Sequence, residues 1–240
     1  MKIAVIVPAL NEEATIATAI ARVPYPPERV TVVDNGSRDQ TTARARAAGA
    51  RAIPEGRRGY GRACLAGIAA NRDADVLVFI DADLSEDPAD IPKLVEPIVR
   101  DQADLVLGYR TGAERLWHAR LGTRFCVWLI NRLWHCAYRD LGPFRAIRRT
   151  ALETLEMHDE TWGWTIEMQT KAVEAGLRWL EVPVSSGARA GGQSKISGTL
   201  RGSIRAGAKM LGTILYLRLT RQRRTCRYDV CYGRDSSRGR

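Results

Sequence analysis

The chain has 240 residues, 45% of them hydrophobic and 27% charged, an ordinary globular usage that excludes wholesale disorder and a fibrous fold. Its 37 Lys and Arg against 27 Asp and Glu give a formal charge of +10, which raises nucleic acid, anionic lipid or a phosphorylated substrate as partner. The surplus is local. From Arg189 onward there are 13 basic and 2 acidic residues, leaving 24 and 25 in the first 188, so a neutral body carries a basic C-terminal fifth.

No apolar run reaches the roughly 18 to 20 residues of a membrane-spanning helix. Residues 2–10 are followed by Asn11-Glu12-Glu13 without a small-residue cleavage pattern, so they read as a buried strand rather than a leader. The five cysteines (64, 126, 136, 226 and 231) contain no Cys-x-x-Cys pair, which argues against a disulfide framework or zinc site and for a reducing compartment.

In chain order, residues 3–7 form a β-branched strand that Pro8 is expected to end. Residues 13–22 follow as a helix with Asn11 as its candidate cap. Strands are expected at 30–33, 50–53, 76–80 and 105–107, alternating with helices at 41–48, 61–70 and 90–99. Apolar strands alternating with helices predict an α/β fold, a mostly parallel sheet with helices on both faces. Beyond Tyr109 come an aromatic and basic stretch at 115–138, a Gly-Pro-Phe segment at 142–144, helices near 148–155 and 165–175, and a strand at 179–184. An amphipathic basic helix is expected at 197–220, and 221–240 read as a disordered tail.

Ligands of open parallel sheets bind at the carboxyl ends of strands. Four such ends are polar here: Pro8 to Glu12, Asp34 to Ser37, Asp81-Ala82-Asp83 and Tyr109-Arg110. Asp81 and Asp83 follow the most apolar strand directly. Two carboxylates this close repel unless a cation lies between them, and hard oxygen donors suit Mg²⁺ or Mn²⁺. A lone Asp-x-Asp is more simply a strand-end cap, but three dressed neighbours favour a ligand.

These pieces together resemble the family 2 inverting glycosyltransferases of GT-A fold, in particular the dolichyl-phosphate (polyprenyl-phosphate) mannose and glucose synthases. The matching segments are Ile6 to Glu12, Val33 to Asp39 with Thr41, Gly59 to Ala63, Asp81 to Leu84, Gly142 to Arg145, Gly163 to Glu167, and Arg189 with Gly192 to Lys195. Their order and spacing span roughly residues 2–212.

The resemblance implies a hexose, glucose by its branch, moving from a nucleotide sugar such as UDP-glucose to a polyprenyl phosphate. Pro8, Leu10 and Glu12 would line the nucleoside pocket, and Asp34 would accept bonds from base or ribose. Asp81 and Asp83 would hold Mg²⁺ or Mn²⁺ on the donor diphosphate, Asp81 also meeting the nucleotide. Ser85 stands where many relatives carry Gln. Arg110, Arg120, Arg189 and Lys195 would meet phosphate, as Arg suits phosphate oxygens; a solvated helix face explains Arg120 equally well. Arg145 and Glu167 would join Asp83 as catalytic residues at the sugar or acceptor end, with an ion pair the alternative for Glu167. Gly59 and Gly61 would allow close backbone approach to a ligand or shape a helix-start turn. No catalytic base is expected, and His118, His135 and His158 lie outside the motifs.

The stretch at 115–138 and the C-terminal helix suit an anionic membrane surface or packing on the body, which places the protein at the cytoplasmic face of a membrane. A glycolipid or soluble sugar acceptor and GDP-mannose as donor remain as alternatives. The Gln-x-x-Arg-Trp signature of processive synthases is absent, and no glycine-rich nucleotidyltransferase loop follows the first strand. A specific nucleic-acid partner is disfavoured by the neutral body.

Overall fold

The computed structural model describes residues 1–111, 117–187 and 207–220, with the side chains of 117–119 excepted. Among the described residues seven strands form one sheet in the order β3-β2-β1-β4-β6-β5-β7. They are β1 (Ile3–Ala9), β2 (Val30–Asp34), β3 (Arg51–Pro54), β4 (Val76–Phe79), β5 (Leu105–Arg110), β6 (Arg145–Arg148) and β7 (Trp179–Val184). β3, β2, β1 and β4 are mutually parallel, β5 and β7 are parallel, and β6 runs antiparallel between β4 and β5. The chain leaves β1 toward β2 and returns to β4 on its other side. That order reversal opens a crevice at the carboxyl ends of β1 and β4.

Side chains alternate across the pleat and feed two cores. Val5, Val7, Val30, Val32, Val76 and Val78 pack under α1 (Ile16–Ala21), α2 (Thr41–Ala47) and α4 (Ile91–Val99). Ile6, Leu77, Phe79, Leu105 and Ile147 pack under α3 (Tyr60–Ala70), α5 (Trp117–Trp134), α6 (Arg149–Leu155) and α7 (Trp164–Glu174). Phe79 and Trp164 are fully buried, with ring centroids 5.9 Å apart.

Three sequence expectations change. β1 does not end at Pro8 but pairs with β2 through Ala9. Backbone groups of even-numbered residues face β4, as the bond from Ile80 N to Ile6 O shows, and β4 stops at Phe79. The N–H that Pro8 lacks therefore has no strand to meet, so the proline removes no ladder bond from the sheet. Asn11 is not the cap of α1, which starts at Ile16 after Thr15. Asn11 instead adopts φ 52° and its Oδ1 accepts the Arg38 N–H at 2.8 Å, joining the loop after β1 to the loop after β2. The third change is β6, a central strand absent from the expected set.

Residues 207–220 form a helix, α8, within the expected amphipathic segment; 188–206 and the tail 221–240 lie outside the described residues. Ile214 and Leu217 of α8 join the second core, while Leu215, Tyr216 and Leu219 are exposed. α5 is similar: Cys126, Val127, Ile130 and Trp134 are buried, and Leu121, Phe125 and Trp128 face outward, Phe125 stacked on Trp128. Among the described residues no helix is long and apolar enough to cross a membrane.

Candidate active site

The loops after β1 and β2 are sewn together at one wall of the crevice. Asn11 N donates to Ser37 Oγ at 2.9 Å, Glu12 N to Thr41 Oγ1 at 2.8 Å, and Glu13 N to Asp39 Oδ2 at 3.2 Å. Pro8 and Leu10 are half-buried at this wall, and Glu12 is buried. Asp34 ends β2, where its carboxylate accepts from Ser37 N at 2.8 Å and from the Thr42 hydroxyl at 2.5 Å. Burial works to raise its pKa, but the bonds from Ser37 and Thr42 outweigh it and hold the carboxyl below its usual value. Asn35 clamps the next loop: its amide donates to Arg57 O at 2.8 Å and its Oδ1 accepts Gly59 N at 2.7 Å.

At the tip of β4 lies the acidic centre. Asp81, Asp83 and Glu86 each present a carboxylate oxygen within 4.8 Å of the other two. Hard oxygen donors gathered this closely would suit Mg²⁺ or Mn²⁺. Asp83 and Glu86 are buried and Asp81 is half-buried. Ser85 ties the two buried carboxylates together, its N–H donating to Asp83 Oδ1 at 2.9 Å and its hydroxyl to Glu86 Oε2 at 2.8 Å. Burial raises the Glu86 carboxyl above its usual pKa, against the opposing pull of Arg110. Glu86 was not among the expected site residues.

Arg110, at the end of β5, faces this centre but is held by a residue the sequence did not single out. Asp140 accepts from Arg110 Nε at 2.7 Å, from Nη2 at 2.8 Å and from the Arg110 backbone N–H at 3.3 Å, while Nη1 stands 3.7 Å from Glu86. Burial alone would raise the Asp140 carboxyl, but the Arg110 guanidinium overrides it and leaves it below the usual range. Its stabilisation is therefore present above the unfolded value near 3.9 and lost as pH falls through the lower folded value. Asp140→Asn is expected to cost about 3 kcal/mol at neutral pH, because the half-buried Arg110 loses its counter-charge. Denaturant unfolding checks this, and the gap between variant and parent should narrow below about pH 4.

Arg145 and Glu167 lie deeper than a surface site would place them. Arg145 is fully buried in β6, where its guanidinium donates to the carbonyls of Thr165 (3.2 Å) and Gly142. It thereby ties the central sheet to the start of α7, near Tyr60, Cys64 and Asp81. Glu167 accepts the backbone N–H groups of His158 and Asp159 and pairs with Lys171 at 2.7 Å. It organises the 156–161 loop. That loop meets Gly59 and Gly61: a Cβ on either would stand 2.1 Å from Glu160 O or 1.9 Å from Asp159 O. The close approach these glycines allow is thus to protein backbone.

Arg120 is exposed on α5, away from these contacts, and Arg189 and Lys195 lie outside the described residues. The chain reaches Gly187 beside the acidic centre, since Gly187 N donates to Ser85 O at 3.0 Å and Ser186 bridges Glu86.

The profile of the family described as Glycosyl transferase family 2 matches residues 4–155. An uncharacterized glycosyltransferase of Mycobacterium tuberculosis is 41% identical over 205 residues, 84% of this chain and 93% of that protein. The undecaprenyl-phosphate mannosyltransferase of Micrococcus luteus is 30% identical over 224 residues, 84% of this chain and 90% of that protein. Among solved structures, glucosyl-3-phosphoglycerate synthase from M. tuberculosis, crystallised with Mn²⁺, UDP-glucose and phosphoglyceric acid, superposes with a TM-score of 0.74 at 26% identity, covering 90% of this chain and 79% of that one. The mostly parallel sheet matches the GT-A architecture, and this chain belongs to glycosyl transferase family 2, a glycosyltransferase of GT-A fold.

Proposed function

We propose that the protein transfers a hexose, in the first instance glucose from UDP-glucose, to a polyprenyl phosphate at the cytoplasmic face of a membrane. The observation that carries this reading is the Asp81, Asp83 and Glu86 cluster at the crevice between β1 and β4 of a family 2 fold. Pro8, Leu10, Glu12 and Asp34 line the wall where the nucleoside would lie. Asp81 and Asp83 would hold Mg²⁺ or Mn²⁺; when bound, the ion neutralises charge on the departing diphosphate. The solved relative was crystallised with Mn²⁺ and UDP-glucose, and with Mg²⁺ and UDP. The named curated relatives include mannosyltransferases, so GDP-mannose is the competing donor.

An acceptor phosphate has a second pKa of about 6 and is largely ionised near neutral pH, so it needs placement more than deprotonation. One of its oxygens would bond the anomeric carbon from the face opposite the nucleotide, as the bond to the diphosphate oxygen breaks and its electron pair leaves with the diphosphate. Configuration inverts through an oxocarbenium-like state. Arg189 and Lys195, two and eight positions beyond Gly187 in sequence, are the candidate contacts to that phosphate. Arg110 would act from its place between Asp140 and Glu86. The outward apolar residues of α5 and α8, with Arg120, Arg124 and Arg218, offer the mixed apolar and basic character of an interfacial surface.

A second reading, a small phosphorylated acceptor, is favoured by the phosphoglyceric acid of the solved relative. Labelled UDP-glucose and GDP-mannose are offered with Mn²⁺ to vesicles carrying undecaprenyl phosphate, or to 3-phosphoglycerate in solution. Labelled glucose should enter the lipid phase with the protein pelleting on the vesicles, and EDTA should stop it. Label confined to the soluble acceptor selects the second reading, mannose transfer replaces the donor, and no transfer to either acceptor overturns both readings.

A further inference from the structure

We propose that Glu86 is a third oxygen ligand of the metal ion, completing the set begun by Asp81 and Asp83; this rests on the metal-dependent reading above. Ser85, two positions after Asp83, has a hydroxyl already committed to Glu86 Oε2 and an N–H committed to Asp83 Oδ1. Ser85 is therefore a spacer that fixes how the two carboxylates face each other. Glu86 comes from the next residue, and its backbone is pinned by the bridge to Ser186 and by the flanking bonds from Asp87 N to Ser185 O and Gly187 N to Ser85 O.

The second observation is at Glu86 itself. The residue is 1% exposed, and its Oε1 is buried without a hydrogen bond. Among the described residues its nearest cationic atom is Arg110 Nη1 at 3.7 Å, beyond hydrogen-bond reach, and that guanidinium already spends its Nε and Nη2 on Asp140. A buried polar atom left in this way calls for a partner. Asp81 and Asp83 each present a carboxylate oxygen within 4.8 Å of one on Glu86, and Arg110 is largely engaged by Asp140. A divalent ion would give Glu86 Oε1 its partner, with Arg110 and Asp140 bracing Glu86 from behind.

The test is Mn²⁺ binding to the whole protein, read from the free-ion electron paramagnetic resonance signal with and without UDP. Glu86→Gln is expected to weaken Mn²⁺ at least tenfold, the scale on which even outer partners of a metal act. Its melting temperature without metal should stay level or rise, and the increment given by Mn²⁺ should disappear. Should Glu86→Gln fail to fold, Glu86→Asp keeps the charge and withdraws the carboxylate by one methylene, and is expected to weaken the ion severalfold. Mn²⁺ affinity unchanged in the variants, beside a loss in Asp83→Asn, overturns the ligand role and leaves Glu86 as a partner of Arg110 only. No Mn²⁺ bound by the parent protein, even with UDP, overturns this inference together with the metal-dependent reading.

Discussion

Asp83→Asn is expected to lower hexose transfer about a thousandfold, near 4 kcal/mol of transition-state stabilisation, while the protein stays folded. The side chain is 2% exposed, and its Oδ1 accepts the Ser85 N–H at 2.9 Å, a bond that an asparagine carbonyl can still accept. The substitution therefore removes charge at the strand end without removing the local turn. On the proposed function the loss should fall on turnover more than on the concentration of donor needed, because the charge would act where the diphosphate departs. Steady-state rates with UDP-glucose and vesicle-borne undecaprenyl phosphate, alongside a melting curve, check it. Full metal-dependent transfer by a folded Asp83→Asn protein would show that the carboxylate is not the metal anchor.

The second large effect concerns stability. Gly61→Ala places a methyl 1.9 Å from Asp159 O and 2.8 Å from the Asp159 carbonyl carbon. Neither wall can retreat easily. Gly61 N donates to Thr161 O and Arg62 N to Glu160 O, both at 3.1 Å, while Glu167 holds the same loop through the His158 and Asp159 N–H groups. Overpacking against backbone should cost about 3 kcal/mol or more, a fall in melting temperature on the order of 10 °C for a chain this long. Gly56→Ala is the control: a Cβ there meets nothing within 4 Å, and its melting curve should match the parent within a degree or so. Equal curves for Gly61→Ala and the parent would mean the two loops are not in contact.

Much of this was legible in the residue pattern. β2, β4 and β7 are apolar or β-branched runs closed by turn residues, and β7 falls on the expected bounds of 179–184. Asp81 and Asp83 could be read because they stand immediately after the most apolar strand. β6 could not, since Arg145-Ala146-Ile147-Arg148 offers two apolar residues between two arginines, yet it occupies the middle of the sheet. Its Arg145 is tolerated there because two carbonyls receive the guanidinium. That pairing depends on Thr165, twenty positions away. Asp140 was hidden for the same reason: only the fold brings it to Arg110, thirty positions earlier. Glu86 had a local signal, a third carboxylate three positions after Asp83. Only the fold shows that Ser85 bonds both carboxylates and turns Glu86 toward Asp83.

The antiparallel strand also dictates an order of assembly. β3, β2, β1 and β4 lie within the first 79 residues and can pair as they leave the ribosome. The open side of β4, however, is completed only by residues 145–148, and β5 has no seam with β4 until the same four residues arrive between them. Nascent chains of intermediate length thus carry an apolar strand edge of Val76 to Phe79 with nothing beside it. Such edges are where chains aggregate or recruit holdases. Recovery of the protein during synthesis should therefore depend on how quickly the stretch between Phe79 and Arg148 is translated.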